Sequence, residues 1–331
     1  MLKLAGRGMA GLALALLVTI AFGGLMSAAS QPPLRGHMID VGGRSLHMVC
    51  AGPEAGRPVV VLEAGAFGLS ADWGAVQAGL AAHRIRSCAY DRAGLGRSDP
   101  GPRPRDGLAV VGDFERMLAA SGEPGPYIYV GHSMAGLYAR LFAGRNPDKV
   151  AGLVLIDAAT PEAAELEAAR RWIGGFATIS RVAGWGASAG LFKPVSPWMG
   201  DRIGLPPEAA RDKRRAFASG IHNRWAADEV GQWMAASRQA AELPGYDPAW
   251  PVAVVTAGPV AGREAWKAVQ TAPARASRHP YIAHVAGAGH ATLLGGDHAD
   301  EIVKAVLFVR DAAQAMDKGK ASSREDDDSG A

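Results

Sequence analysis

Cysteine is nearly missing: Cys50 and Cys88 are the two in 331 residues. That is too few for a disulfide scaffold, and their spacing fits no zinc motif, so no metal site is expected. A surplus of charge of one sign is missing as well. The formal net charge is +3, no basic stripe interleaves with aromatics, and no nucleic-acid partner is expected. No internal repeat runs through the chain, which sets aside solenoid and array folds. Nothing in the sequence calls for a cofactor.

What is present is apolar bulk. Hydrophobic residues make up 48% of the chain, enough at this length for one large α/β domain with an insertion or for two ordinary domains. Lys3 and Arg7 precede an uncharged apolar stretch from Gly8 to Gly24, and Ser27-Ala28-Ala29-Ser30 follows it. A basic start, an apolar middle and a small-residue exit read as an export signal cut after Ala29. The 21 uncharged residues from Met9 to Ala29 would also serve as a retained anchor, since about 20 suffice to span a bilayer. Residues 1–30 are thus expected to be a signal peptide or a membrane anchor. The folded part is expected outside the cytoplasm, periplasmic, secreted or held to the membrane by this segment. Export also permits a disulfide between Cys50 and Cys88.

Past the Gln31-Pro32-Pro33 linker, Met38 to Val41 and Ser45 to Cys50 flank Gly42-Gly43 and read as a hairpin. Val59-Val60-Val61-Leu62 is a β-branched run of the sort a strand buried on both faces needs, and Ile85 to Tyr90 and Tyr127 to Val130 follow in the same manner. Between them Ala71 to Ala82 and Leu108 to Ala120 read as helices. The second sets Val110, Val111, Phe114, Met117 and Leu118 on one face. Strands alternating with helices predict a mostly parallel, doubly wound α/β sheet covered on both sides. The pattern runs on to Val150 to Ile156, resumes at Val252 to Val255 and Tyr281 to Val285, and closes with an amphipathic helix carrying Ile302, Val303, Val306 and Leu307.

The interruption, residues 160–245, is helical in character and carries Trp172, Phe176, Trp185, Phe192, Trp198, Phe217, Trp225 and Trp233. Most of its tryptophans are expected to pack against the core, with some facing the site if the segment caps it. The predicted organisation is an α/β core over 36–159 and 246–313 with a helical cap inserted at 160–245. Residues 317–331, with Lys, Ser and three consecutive Asp, are expected to be a disordered tail.

The chemistry starts at Gly131-His132-Ser133-Met134-Ala135-Gly136, directly after the apolar run Pro126 to Val130. A buried strand ending in a glycine-flanked serine and passing straight into a helix presents a hydroxyl on a sharp turn. The plain alternative, a serine that only caps the helix, does not account for the flanking glycines. A hydroxyl attacks only when an adjacent base takes its proton and a carboxylate holds that base in the right tautomer. His290, in Ala286-Gly287-Ala288-Gly289-His290, follows the last predicted strand and is the candidate base. His132 and His298 read as structural, and Asp91 and Arg92 as loop-ordering groups.

On these motifs the chain resembles an α/β-hydrolase of the serine-nucleophile, esterase- or lipase-like kind, from about His37 to Ala312 and excluding the insertion. Leu62-Glu63-Ala64-Gly65-Ala66 stands at the family's oxyanion-loop position, where a His-Gly pair is more usual. Tyr90-Asp91-Arg92-Ala93-Gly94-Leu95-Gly96-Arg97-Ser98-Asp99 closely matches the glycine-rich loop after strand four. The elbow departs from the family in having Ala135 where its last Gly usually stands. The acid departs further, because no Asp occurs between Asp247 and Asp297. Asp157, at the end of the strand Val150 to Ile156, holds the position some members use, and Glu264 is the alternative.

The resemblance also implies an oxyanion hole from the backbone N–H groups of Ala66 and Met134. It places Cys50 and Cys88 on adjacent antiparallel strands, where a disulfide competes with two buried free thiols. The activity it implies is cleavage of an ester of an apolar acyl or alcohol group through an acyl-enzyme on Ser133. The same triad serves an acyltransferase, a thioesterase, a peptidase or a perhydrolase. Epoxide hydrolases and haloalkane dehalogenases share the strand-four loop but need a carboxylate nucleophile. A non-catalytic envelope protein that binds through the same fold is the reading from another class. The expected partner is a small apolar ester-type substrate, and the oligomeric state is left open.

Overall fold

The computed structural model of the chain describes residues 33–329, with a few isolated positions between 11 and 22, and side chains as far as Gly319. The proposed signal peptide or anchor of residues 1–30 lies almost wholly outside the described residues. Among those described, no helix is long and apolar enough to cross a membrane.

Strands whose successive side chains are buried on opposite faces build the core. The strands β1 (His37–Asp40), β2 (Ser45–Ala51), β3 (Val59–Glu63), β4 (Ser87–Tyr90), β5 (Tyr127–His132), β6 (Val150–Ile156), β7 (Pro251–Ala257) and β8 (His279–Val285) form one sheet in the order β1-β2-β4-β3-β5-β6-β7-β8. The pairs β1/β2 and β2/β4 are antiparallel and the rest parallel. Val59, Val61, Tyr127, Tyr129, Leu153, Leu155, Val252 and Val254 enter one apolar cluster, while Val60, Leu62, Ile128, Val130, Val154, Ile156, Ala253 and Val255 enter a second on the opposite face. A period of two with both sets apolar is the signature of strands covered on both sides.

Helices supply the cover. α1 (Gly74–Ala82) adds Val76 and Leu80 to the second cluster, and α2 (Gly107–Ser121) adds Val110, Val111, Phe114, Met117 and Leu118 to the first. A short 3-10 turn, Ser70–Trp73, precedes α1, so the helix expected from Ala71 starts later. Asp106 caps α2 by accepting from the Ala109 N–H at 2.9 Å, and Gly122 ends it at φ 75°, a conformation that favours glycine. α3 (Ala135–Arg145) follows β5 and puts Leu137, Leu141 and Phe142 into the first cluster. There Phe114, Tyr129 and Phe142 meet with ring centroids 5.1–5.6 Å apart, within the range of favourable aromatic pairs.

The inserted segment is all helical between β6 and β7: α4 (Glu167–Ser188), α5 (Ser196–Met199), α6 (Pro207–Ala218), α7 (Gly220–Gly231) and α8 (Trp233–Ala241), with a 3-10 turn at Glu162–Glu165. Its tryptophans divide against expectation. Trp225 and Trp233 are buried, but Trp172, Trp185 and Trp198 are 57%, 71% and 73% exposed.

α9 (Glu264–Ala276) joins β7 to β8, and α10 (Ala299–Ser329) closes the core with Ile302, Val303, Val306 and Val309. α10 runs on through residues 317–329 of the expected disordered tail. Extending an existing helix adds a hydrogen bond per residue without the cost of a new nucleus, so a polar sequence can follow a packed one. Cys50 and Cys88 face each other across β2 and β4 and are joined by a disulfide, with Cα atoms 4.0 Å apart.

Candidate active site

The sheet order places the site. β3 lies between β4 and β5, so the chain leaves β3 to one side and returns through β5 on the other. A crevice forms at the carboxyl ends of strands where the order reverses in this way. The register Glu63↔Gly131 brings the loops after β3 and β5 together there. A Cβ on Gly65 would stand 2.7 Å from the Ser133 Cβ, so the approach requires glycine.

Ser133 sits at φ 56°, in the left-handed region that a non-glycine residue enters only when its surroundings hold it. The hold is visible. The Ser133 N–H donates to the Ile156 carbonyl at 3.0 Å, and the Ser133 carbonyl accepts from Gly136 and Ala159 at 3.0 and 2.8 Å. A Cβ at Gly136 would lie 2.2 Å from the Ala159 carbonyl oxygen, so Gly136 permits this closeness, while Ala135 beside it is fully buried. α3 begins immediately after Met134, directing the positive end of its dipole at the hydroxyl.

Asp157 leaves β6 at φ 40° and reaches His290, in the loop after β8. His290 Nδ1 lies 2.7 Å from Asp157 Oδ2. Burial opposes ionisation of Asp157, but the hydrogen bond and charge of His290, with Lys267, hold its carboxyl well below the usual carboxylate range. An ionised carboxylate only accepts, so the Nδ1 proton belongs to His290 and Nε2 is left as the basic nitrogen. Ser133 and His290 line one cavity. Among the described residues no hydrogen bond joins them, a separation that such sites close when substrate arrives.

Among the described residues Glu264 does not reach Asp157 or His290 by a hydrogen bond. It is exposed at the start of α9, where it accepts from the Gly262 N–H at 3.0 Å. Sequence reasoning missed two residues that do: Lys267 Nζ and Gln270 Nε2, each 3.1 Å from Asp157 Oδ1. Both are buried on α9 three positions apart, and a lysine on the inner face of an amphipathic helix is the signal that could have found them.

The N–H groups of Ala66 and Met134 have no backbone or side-chain acceptor among the described residues. Met134 is fully buried. Buried N–H groups are nearly always paired, so two free donors beside a serine make a ready place for developing negative charge. Behind them Arg92, 2% exposed, donates to Glu63 at 3.0 Å, Glu229 at 2.9 Å and the Gly65 carbonyl at 2.8 Å, and also to the Ala64 carbonyl. Asp91 orders the neighbouring loop by accepting from Ser70, Arg97 and His47.

His132 is buried beside His290, ring centroids 4.6 Å apart, and its Nε2 meets the His290 carbonyl at 3.0 Å. Burial, helped by the charge of His290, pushes its pKa down to about 3. Burial also pushes His222, on the cap helix α7, down to about 3, with Lys213 contributing. Both histidines are neutral in the fold and gain a proton near pH 6.5 once unfolded. Their contribution is therefore intact above about pH 6.5 and lost as pH falls toward 3, each at up to about 1.4 kcal/mol per pH unit. Urea unfolding across pH 4–6.5 should show this slope, and His222→Gln should remove about half of it; an unchanged slope would contradict the assignment.

The cavity holds about 560 Å³ and is mostly apolar, with Trp172, Phe176, Phe192, Phe217, Trp233 and Leu294 in its wall. Residues 58–181, which include Ser133 and Asp157, match a family described as the alpha/beta hydrolase fold. A stretch of 129 residues is 36% identical to a probable transporter from Hormonema carpetanum, covering 37% of this chain and 18% of that protein. Another of 105 residues is 32% identical to an AB hydrolase superfamily protein from Gibberella zeae, covering 30% of this chain and 32% of that one. The chain thus spans about a third or less of the curated relatives it matches. Among solved structures it is similar to the Cif epoxide hydrolase from Acinetobacter nosocomialis, with TM-score 0.65, 16% identity, and 88% and 95% of the two chains covered. It is also similar to a thermophilic esterase from Thermogutta terrifontis, with TM-score 0.59, 20% identity, and 84% and 98% covered.

Proposed function

We propose, for a chain that belongs to the α/β-hydrolase superfamily, a serine hydrolase that cleaves an ester of an apolar acyl or alcohol group. The observation that carries this reading is the 2.7 Å pairing of Asp157 with His290, which lines the same cavity as Ser133 on its strained turn. Ser133 Oγ attacks the ester carbonyl while His290 Nε2 takes its proton. The positive charge that forms on the imidazole is met by Asp157, and the carbonyl oxygen, now negative, is met by the N–H groups of Ala66 and Met134. His290 returns the proton to the leaving alcohol. Water, deprotonated by the same nitrogen, then releases the acid from Ser133.

Esterase and epoxide hydrolase neighbours share this fold, so the nucleophile decides between them. An epoxide is opened in this fold by a carboxylate, and the position carries Ser133. The apolar wall favours an apolar substrate, since such a surface gains most by exchanging water for hydrocarbon. A fluorophosphonate probe should add its phosphonyl group to Ser133, read by peptide mass spectrometry, and Ser133→Ala should abolish both labelling and turnover of a short aryl ester. Labelling absent from the folded wild-type chain would remove the proposal and favour a binding role.

A further inference from the structure

We propose that the outer face of the cap is a docking surface for an anionic lipid bilayer, placed so that the mouth of the Ser133 cavity opens at the membrane. From Ala168 to Gly200 the chain has no Asp or Glu but carries Arg170, Arg181 and Lys193, together with Arg171, which pairs with the exposed Glu167 at the start of α4. Over the same span Ile179 and Val182 are each 68% exposed, beside the exposed Trp172, Trp185 and Trp198. In α4, Ala169, Ile173, Ser180, Gly184 and Ala187 form the buried face. A surface helix normally turns polar on the side away from its core. Here that side is apolar and cationic.

This composition points to one occupant. Tryptophan settles at the level of lipid headgroups, and each Lys or Arg near an anionic surface adds to the attraction. A second copy of the chain would bring the same net cationic face against itself, which like charges oppose. The patch is also continuous with the site. Trp172, Ile179 and Met199 are exposed and also line the cavity. Trp172 stacks on Phe176 at 5.1 Å and meets the buried Trp233 at 5.8 Å, so an apolar path runs from the outer face toward Ser133. Docking itself does not depend on the ester chemistry.

The test uses the full chain with a polarity-sensitive nitrobenzoxadiazole label on Trp185→Cys or Trp198→Cys. Neither residue lines the cavity, and both native cysteines are bridged. Asp148→Cys, exposed in the 3-10 turn Pro147–Lys149 that leads into the amino end of β6, away from the carboxyl ends of the strands where the site lies, is the control. With phosphatidylcholine vesicles containing phosphatidylglycerol, emission from positions 185 and 198 should rise several-fold and shift to the blue, while position 148 stays silent. High salt should reverse the response, and Arg181→Glu should weaken apparent binding about tenfold, given about 1 kcal/mol per basic residue near such a surface. The proposal is overturned if labels at 185 and 198 ignore these vesicles, or respond equally to phosphatidylcholine alone. It is also overturned if they respond to rising protein concentration without lipid, which would give the face to a second copy. Turnover of a soluble aryl ester, measured on the same labelled chains, scores the hydrolase reading separately.

Discussion

Replacing Asp157 by Asn should lower kcat for a soluble aryl ester by about 10⁴-fold with little change in KM, the size of loss seen when the acid of such a triad is made neutral. The fold should survive. Asn has nearly the same shape and tolerates the left-handed region in which Asp157 sits at φ 40°. Its oxygen can still accept from Lys267 and Gln270, now 3.1 Å from Asp157 Oδ1. What is lost is the acceptor at the 2.7 Å contact with His290 Nδ1. An amide nitrogen there favours a bare Nδ1, which moves the proton to Nε2, the atom that must receive one from Ser133. Glu264→Gln should leave the rate within about twofold, the ordinary consequence of a surface change away from the site. Steady-state kinetics on the two variants decide the matter; a loss below tenfold in Asp157→Asn would mean that another group orients His290.

The division of the strands into two apolar sets was legible in the sequence because burial on both faces leaves one kind of pattern. Val59 to Leu62 and Leu153 to Ile156 supply residues to both clusters, and no amphipathic reading fits them. The serine was legible for a local reason: Gly131, Ser133 and Gly136 are consecutive enough for one turn to need them together. Asp157 and His290 are 133 positions apart, and their meeting follows only from strand order. The resemblance supplied that order. Lys267 and Gln270 stayed hidden because a helix face shows which side is buried and not what it is buried against.

The cap was legible in outline only. Its composition foretold helices, but exposure at Trp172 and Trp185 depends on how α4 rolls against α7, and that at Trp198 on how α5 sits on α6, and nothing local to those residues sets it. Glu229 makes the same point. In sequence it is one acid on a helix, yet it is fully buried and its Oε2 lies 2.9 Å from Arg92 Nε, 137 positions away. The cap and the loop after β3 are thereby fastened to one guanidinium.

Arg92→Met should accordingly destabilise the protein by about 3–5 kcal/mol, since removing one partner of a buried ionic group leaves charge without compensation. Glu63 and Glu229 are 1% and 0% exposed. Burial already raises the Glu63 pKa against the pull of Arg92, and without the guanidinium both carboxyls would have to take up protons or water. The urea midpoint of unfolding should fall accordingly, with the slope unchanged. Adding Glu63→Gln and Glu229→Gln should recover most of that loss, because no buried charge then remains. Activity should not recover with it. Arg92 also donates to the Ala64 and Gly65 carbonyls, which orient the peptide plane carrying the Ala66 N–H, and a glutamine pair cannot restore those bonds. A triple variant that regains its stability but stays at least about tenfold slow in kcat would identify Arg92 as a positioning residue for the oxyanion loop, the size of effect expected when one such donor is misplaced rather than deleted. Full recovery of the rate would reduce it to a fastening between cap and core.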